Sequence, residues 1–188
     1  MEKINLALLG PLAKLVGRWE GAKGDDIAPG DDRGTENNKF RELFVFNAFG
    51  PANNHEQTLY GLTYNRTAWR LGVADPFHEQ IGYWLWDAEA SQVMHSFMIP
   101  RGMTVLAGGN VLASSTTLNL SATLGSPTFG ICSNPFLDRE FKTLKYDSTI
   151  TILNDSSFSY EEDTQIQIKG KPGLFHHVDK NVLKKVTT

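Results

Sequence analysis

From residue 39 onward the chain alternates apolar and polar side chains at every second position. "KFRELFVFNAF", "TLYGLTY", "HEQIGYWLW", "QVMHSFMI", "MTVLAGG", "VLASSTTLNLSA", "FKTLKYDSTITIL", "FSYEEDTQIQI" and "HHVDKNVLKKV" all carry this period, the signature of half-buried β-strands. They are rich in aromatic, β-branched and threonine residues, which suit a pleated surface. "GPANN", "GVADP", "DAEAS", "LND" and "KGKPG" separate them as turns. The opening differs. Ile4, Leu8, Leu12 and Leu15 recur at helical spacing, and Gly10-Pro11 breaks the run, so one or two short helical turns with an apolar face are expected. Residues 22–38, rich in Asp, Gly and Asn, read as a long polar loop, and residues 125–138 as a second long loop at a barrel mouth.

Nine or ten sequential strands with almost no helix between them predict an antiparallel meander. Closing it on itself removes two exposed edges. The expected architecture is all-β: a single antiparallel up-and-down β-barrel of about ten strands over residues 1–188, with short N-terminal helical turns closing one end. Such a barrel implies a cavity, and a cavity implies a small-molecule ligand.

Composition narrows the partners. With 18 Lys+Arg against 21 Asp+Glu, and no basic cluster beyond Lys184-Lys185, no nucleic-acid surface is expected. No apolar run reaches membrane-spanning length. Lys14 and Arg18 interrupt the apolar start, which reads as part of the fold rather than a leader. One cysteine, Cys132, forms no internal disulfide and fits a cytoplasmic location. A homodimer is left open. No enzyme constellation stands out: Ser114 and Ser115 lack a nucleophile elbow, and Cys132 has no histidine in sequence reach. Glu161, Glu162 and Asp163 read as a solvated charge run.

Gly17, Trp19 and Gly21 form G-x-W-x-G at the head of the first strand, where the indole is expected to pack across the closed end. This start resembles that of lipocalins and fatty-acid-binding proteins. "GLTYNRTAWRLGVADPFHEQIGYWLWD" is more specific and resembles the middle of nitrobindins, heme-binding barrels of fatty-acid-binding-protein-like, calycin-type fold. The matching residues are Arg66, Thr67, Trp69, Pro76, Phe77, His78, Gly82 and Tyr83. "GPLAKLVGRWEG" resembles the opening of that family, and "HHVDKNVLKKV" stands where its heme-ligating histidine precedes the last strand. The chain is longer than a typical nitrobindin, and Gln80 replaces the acidic residue usual two positions after the distal histidine.

The resemblance implies heme b, with His177 or His176 as iron ligand and Phe77 and His78 on the distal side. It also implies nitric oxide binding and isomerisation of peroxynitrite to nitrate. In a regular last strand His177, Asp179, Asn181 and Leu183 share one face. Asp179 is then a candidate to orient the imidazole, with a salt bridge to Lys171 or Lys180 as the alternative. His78 shares a face with Gln80, Gly82, Trp84 and Trp86, and Gly82 leaves room for a flat ligand. Met94 and Met98 suit an adaptable pocket, Arg101 a rim cation for a carboxylate, and Trp19 the pocket's closed end. His95 between the methionines reads as core filler, and His55 as an exposed turn residue. Two other readings stand beside heme: a non-catalytic carrier of a small apolar or fatty-acid-like molecule, and a barrel filled by its own aromatics whose partner is a protein.

Overall fold

The computed structural model describes residues 4–186; the first three residues and the last two, part of the opening and closing segments read above, lie outside it. A 3-10 segment, Leu6–Leu15, leads into β1 (Gly17–Pro29), β2 (Thr35–Asn54), β3 (Gln57–Arg70), β4 (His78–Asp87), β5 (Gln92–Ile99), β6 (Met103–Asn110) and β7 (Thr117–Thr123). A short β8 (Ile131–Ser133) and helix α1 (Pro135–Glu140) precede β9 (Phe141–Asn154), β10 (Ser157–Ile168) and β11 (Phe175–Lys185). Strands β1 to β7 pair in chain order, β7 pairs with β9, β9 with β10, β10 with β11, and β11 returns to β1. Every pairing is antiparallel, so ten strands close into a ring. β8 lies beside β6, Ile131 opposite Val105, as an eleventh strand. No helix among the described residues is long and apolar enough to cross a membrane.

The expected closure at one end is present, in a tighter form. A 3-10 helix has three residues per turn, so Leu9, Leu12 and Leu15 are buried, whereas Leu8 is 43% exposed. Gly10 lies against the Trp86 indole with a φ of 53°; a Cβ there would come within 2.5 Å of Trp86 Nε1. Trp19 Nε1 donates to the Leu15 carbonyl at 2.7 Å, which anchors the plug to β1. Above it Phe44, Phe46, Tyr64, Trp84 and Phe158 fill the lower half of the barrel. Burying each such ring stabilises the fold by about 2–3 kcal/mol.

Two expected loops are not loops. Residues 22–38 are mostly the far end of the β1–β2 hairpin, paired from Gly24↔Phe40 to Pro29↔Thr35 around a turn at Gly30–Gly34. Their inward positions carry Gly24, which lies against the Phe40 ring, and Asp26, which is buried among ionic partners. Neither residue contributes to an apolar alternation, so the strand is invisible to that pattern. Within 125–138, β8 is held by its pairing with β6, and α1 is capped by Asn134, whose side chain accepts from the backbone N–H groups of Phe136 and Leu137. Conversely, residues 111–116, read as strand, precede β7 and lie outside it.

Candidate functional site

The end of the barrel opposite the 3-10 plug holds the chemistry, in two tiers. The lower tier is a buried ionic network centred on Arg66 of β3. Its Nε donates to Glu42 Oε2 at 2.8 Å, Nη1 to Glu162 Oε2 at 2.7 Å and Nη2 to the Tyr160 hydroxyl at 2.5 Å. Tyr160 in turn donates to Glu42 at 2.8 Å, Tyr146 to Glu162 at 2.6 Å, and Asn181 Nδ2 to Glu42 at 2.8 Å. Burial works against the Arg66 charge, but Tyr160, Glu42 and Glu162 outweigh it and hold the guanidinium ionised. Beside it His95 bonds the Tyr64 hydroxyl at 2.8 Å and stacks on Trp84 with ring centroids 4.0 Å apart. Burial holds the His95 imidazole neutral.

The upper tier is the mouth. Along β11 His177, Asp179, Asn181 and Leu183 share one face, as the alternation predicts, and that face turns inward. His177 Nε2 lies 3.0 Å from Asp26 Oδ1 on β1 and 3.6 Å from Asp179 Oδ2. Asp26 also accepts from Arg70 at 2.5 Å. Burial opposes the His177 charge, yet the hydrogen bond to Asp26 and the two carboxylates raise its pKa overall. Burial likewise resists the Asp26 charge, but His177 and Arg70 lower its pKa overall. Asp179 is pushed up to about 6, chiefly by burial. His176 faces outward and bonds Asp163 at 2.8 Å, its side chain 56% exposed.

His78 opens β4 at the same end, on the inward face with Gln80, Gly82, Trp84 and Trp86. Burial, with the nearby Arg66 charge, lowers its pKa to about 3, so its imidazole is neutral. Its Nε2 is buried without a hydrogen-bond partner among the described residues. Phe77 stands at the rim, 40% exposed, with the Arg70 guanidinium 3.9 Å above its ring. Leu71, Val73 and Phe77 in the β3–β4 loop and Leu174 in the β10–β11 loop leave large apolar surfaces exposed around this end.

Other expected site residues stand elsewhere. Trp19 stands on β1 against the plug at the opposite end, 1% exposed. Gly82 faces inward, and a Cβ there would lie 2.0 Å from the Ser96 carbonyl, so the glycine serves the close approach of β4 and β5. Met94 and Met98 point outward, because β5 turns Val93, His95 and Phe97 inside. Met98 lines a shallow outer groove of about 420 Å³ with Ile81 and Tyr83. Arg101 is exposed in the β5–β6 turn, and its carbonyl accepts from Asn134. Glu162, expected in solvent, is buried against Arg66. Its place after Phe158 and Tyr160 on one face was the available signal. Glu42 carried the same signal, standing between Phe40 and Phe44 on one face; Asp26, with no large apolar residue at the alternate positions beside it, had none.

An antiparallel ten-stranded barrel, plugged below and rimmed above by a histidine pair and apolar loops, is a calycin-type ligand-binding barrel. Residues 8–185 match the THAP4-like, heme-binding beta-barrel domain, and the chain belongs to that family. Among solved structures it is similar to Rv2717c from M. tuberculosis, at 22% identity and a TM-score of 0.71, over 98% of this chain and 100% of that one. At that identity the likeness speaks for the fold. No curated protein matches the sequence. The resemblance to nitrobindins is thus borne out at the level of the family.

The donor set suits heme. A proximal ligand needs one imidazole nitrogen for iron and a partner on the other. His177 has one nitrogen on Asp26, and its Nδ1 makes no hydrogen bond among the described residues. His78 adds an unpartnered neutral nitrogen, and the loop residues add apolar surface for a macrocycle.

Proposed function

We propose that this barrel binds heme b at its mouth, with His177 as the iron ligand and Phe77 and His78 lining the other side of the pocket. The observation that carries this reading is the inward His177 imidazole, tethered through one nitrogen to the buried Asp26 carboxylate. Asp26 fixes the ring's orientation and raises its basicity, while Arg70 holds Asp26 in place. The Arg66 network forms a floor that keeps a ligand at the mouth. His78, held neutral by burial, offers a hydrogen-bonding nitrogen toward a small ligand, and the apolar β3–β4 and β10–β11 loops limit water. Bound ferric heme would supply an accessible sixth position for nitric oxide and for isomerisation of peroxynitrite to nitrate.

The carrier reading fits less well. A fatty acid held inside the barrel needs a free cation for its carboxylate, and Arg66 already donates to Glu42, Glu162 and Tyr160. Arg101 lies outside on a turn.

Hemin titration of the purified protein, followed at the Soret band, tests the proposal. Wild type and His176→Ala are expected to saturate at one heme per chain, and His177→Ala to lose at least about tenfold in affinity. Affinity should also fall on acidification, by about tenfold per pH unit below the raised His177 pKa, because iron and proton compete for one nitrogen. No saturation in wild type, or loss only in His176→Ala, overturns the assignment.

A further inference from the structure

The mouth carries more negative charge than its own cations balance. Asp26, Glu42, Glu162 and Asp179 all turn inward at this end, against Arg66 and Arg70. Four carboxylates against two guanidiniums leave an excess of two negative charges before the histidines are counted. The excess is sharpest at one place. Asp26 and Asp179 are direct cross-strand partners in the β1–β11 ladder, both facing inward. Like charges directly opposite on one face of a strand pair are destabilising unless something positive stands between them. His177 stands there. One ligand atom from each of Asp26, His177 and Asp179 falls within 4.8 Å of the others.

That spacing is within reach of a coordination shell. Four ligands at about 2.0–2.1 Å around a tetrahedral ion lie about 3.3 Å apart. The His177 nitrogen stands 3.0 Å from one carboxylate oxygen and 3.6 Å from the other, on either side of that value. A second, independent feature points to a missing partner at the same end: the buried, unpartnered His78 Nε2. His177 and Asp26 are both among the charges that act on its ring. One imidazole and two carboxylates, with a second imidazole close by, form a nitrogen–oxygen donor set of the kind that takes first-row divalent cations.

We propose that Asp26, His177 and Asp179 form a binding site for a first-row divalent cation, of which Zn²⁺ is the probe, in the porphyrin-free protein. The ion takes the place of the proton through which His177 Nε2 donates to Asp26, and that proton leaves to solvent. The site itself is independent of the heme reading. Only its corollary, that the cation and heme compete for His177, rests on that reading.

The test is titration of the heme-free protein with Zn²⁺ by calorimetry and with Co²⁺ by its visible d–d absorption. Wild type is expected to bind one ion per chain. Asp179→Asn, which keeps the shape and removes the charge, should weaken binding by at least about tenfold, and His177→Ala should change the Co²⁺ spectrum as a nitrogen ligand is lost. Arg70→Gln should tighten binding, because it removes the cation that now neutralises Asp26; a purely structural salt bridge predicts no such gain. Absence of saturation in wild type overturns the site. So does one-to-one binding unchanged in both Asp179→Asn and His177→Ala, which would place the ion elsewhere. A protein that takes hemin but no Zn²⁺ overturns this site and leaves the heme reading standing. One that takes Zn²⁺ but no hemin does the reverse. If hemin and Zn²⁺ bind together without mutual weakening, the competition is overturned.

Discussion

Replacing Arg66 by methionine is expected to lower the unfolding free energy by about 3–5 kcal/mol. The substitution keeps most of the side-chain volume but leaves Glu42 and Glu162 as buried carboxylates without a cation, their side chains 0% and 9% exposed. Tyr160 and Tyr146 would still donate to them, and a neutral hydroxyl cannot offset a full buried charge. A second variant separates the cost of orphaned carboxylates from the value of the ion pairs. Glu42→Gln, Arg66→Met and Glu162→Gln together should recover much of the loss, since a buried ionic triad replaced as a unit is often near neutral. Urea unfolding of wild type, single and triple variants measures this. A single-variant loss below about 1 kcal/mol would mean that water reaches the network, and Arg66 would then not be the floor of the site.

Asp179→Asn is expected to do the opposite and stabilise the protein by up to about 3 kcal/mol at pH 8. Folding raises the pKa of this carboxyl from an ordinary 3.8 to about 6, because burial penalises the ionised form. The folded state therefore holds a proton that the unfolded state has lost. Its stabilising contribution is complete below pH 3.8 and disappears as pH rises through 6. Above that the ionised, buried Asp179 is a liability, which asparagine removes. The gain should shrink as the pH falls from 7 toward 4, where aspartic acid is already neutral. Unfolding midpoints of both proteins at pH 8 and pH 4.5 measure it. A constant difference at the two pH values would show that the effect is packing rather than charge. Greater stability together with weaker Zn²⁺ binding in this one variant would be the mark of a residue kept for a ligand rather than for the fold.

Much of the barrel was legible along the chain. Period-two patterning in β3, β4, β5, β9, β10 and β11 predicted the strands and, for β11, that His177, Asp179, Asn181 and Leu183 share one face; the structure decided that this face, and not that of His176, turns inward. The alternation from His177 through Leu183 needs no tertiary information, since successive strand residues point to opposite sides. G-x-W-x-G likewise marked the closed end, because Trp19 is the first aromatic residue of the chain and its ring is large enough to lie across that end. The reading failed where inward positions are not apolar. Asp26 and Gly24 in β1 looked like loop residues, and Glu162 looked like surface, because a buried charge carries the same letter as a solvated one. Met94 and Met98 failed for another reason. His95, read as core filler, does occupy the inward position between them, against Tyr64 and Trp84, and that phase turns both methionines outward.

By itself, then, the sequence determined the number and phase of most strands, the closure, and the family through motifs spaced along the chain. Those properties depend on local periodicity and on short runs of neighbouring residues. Only the tertiary structure decided what stands beside His177. Asp26 is 151 positions away in the chain and reaches it because β11 returns to β1 and closes the barrel. The ionic floor likewise joins Glu42, Arg66 and Glu162 from three separate strands. Whether a carboxylate is solvated, paired or left to find a ligand is settled by charges brought together across a closed sheet, and no local pattern in the chain records them.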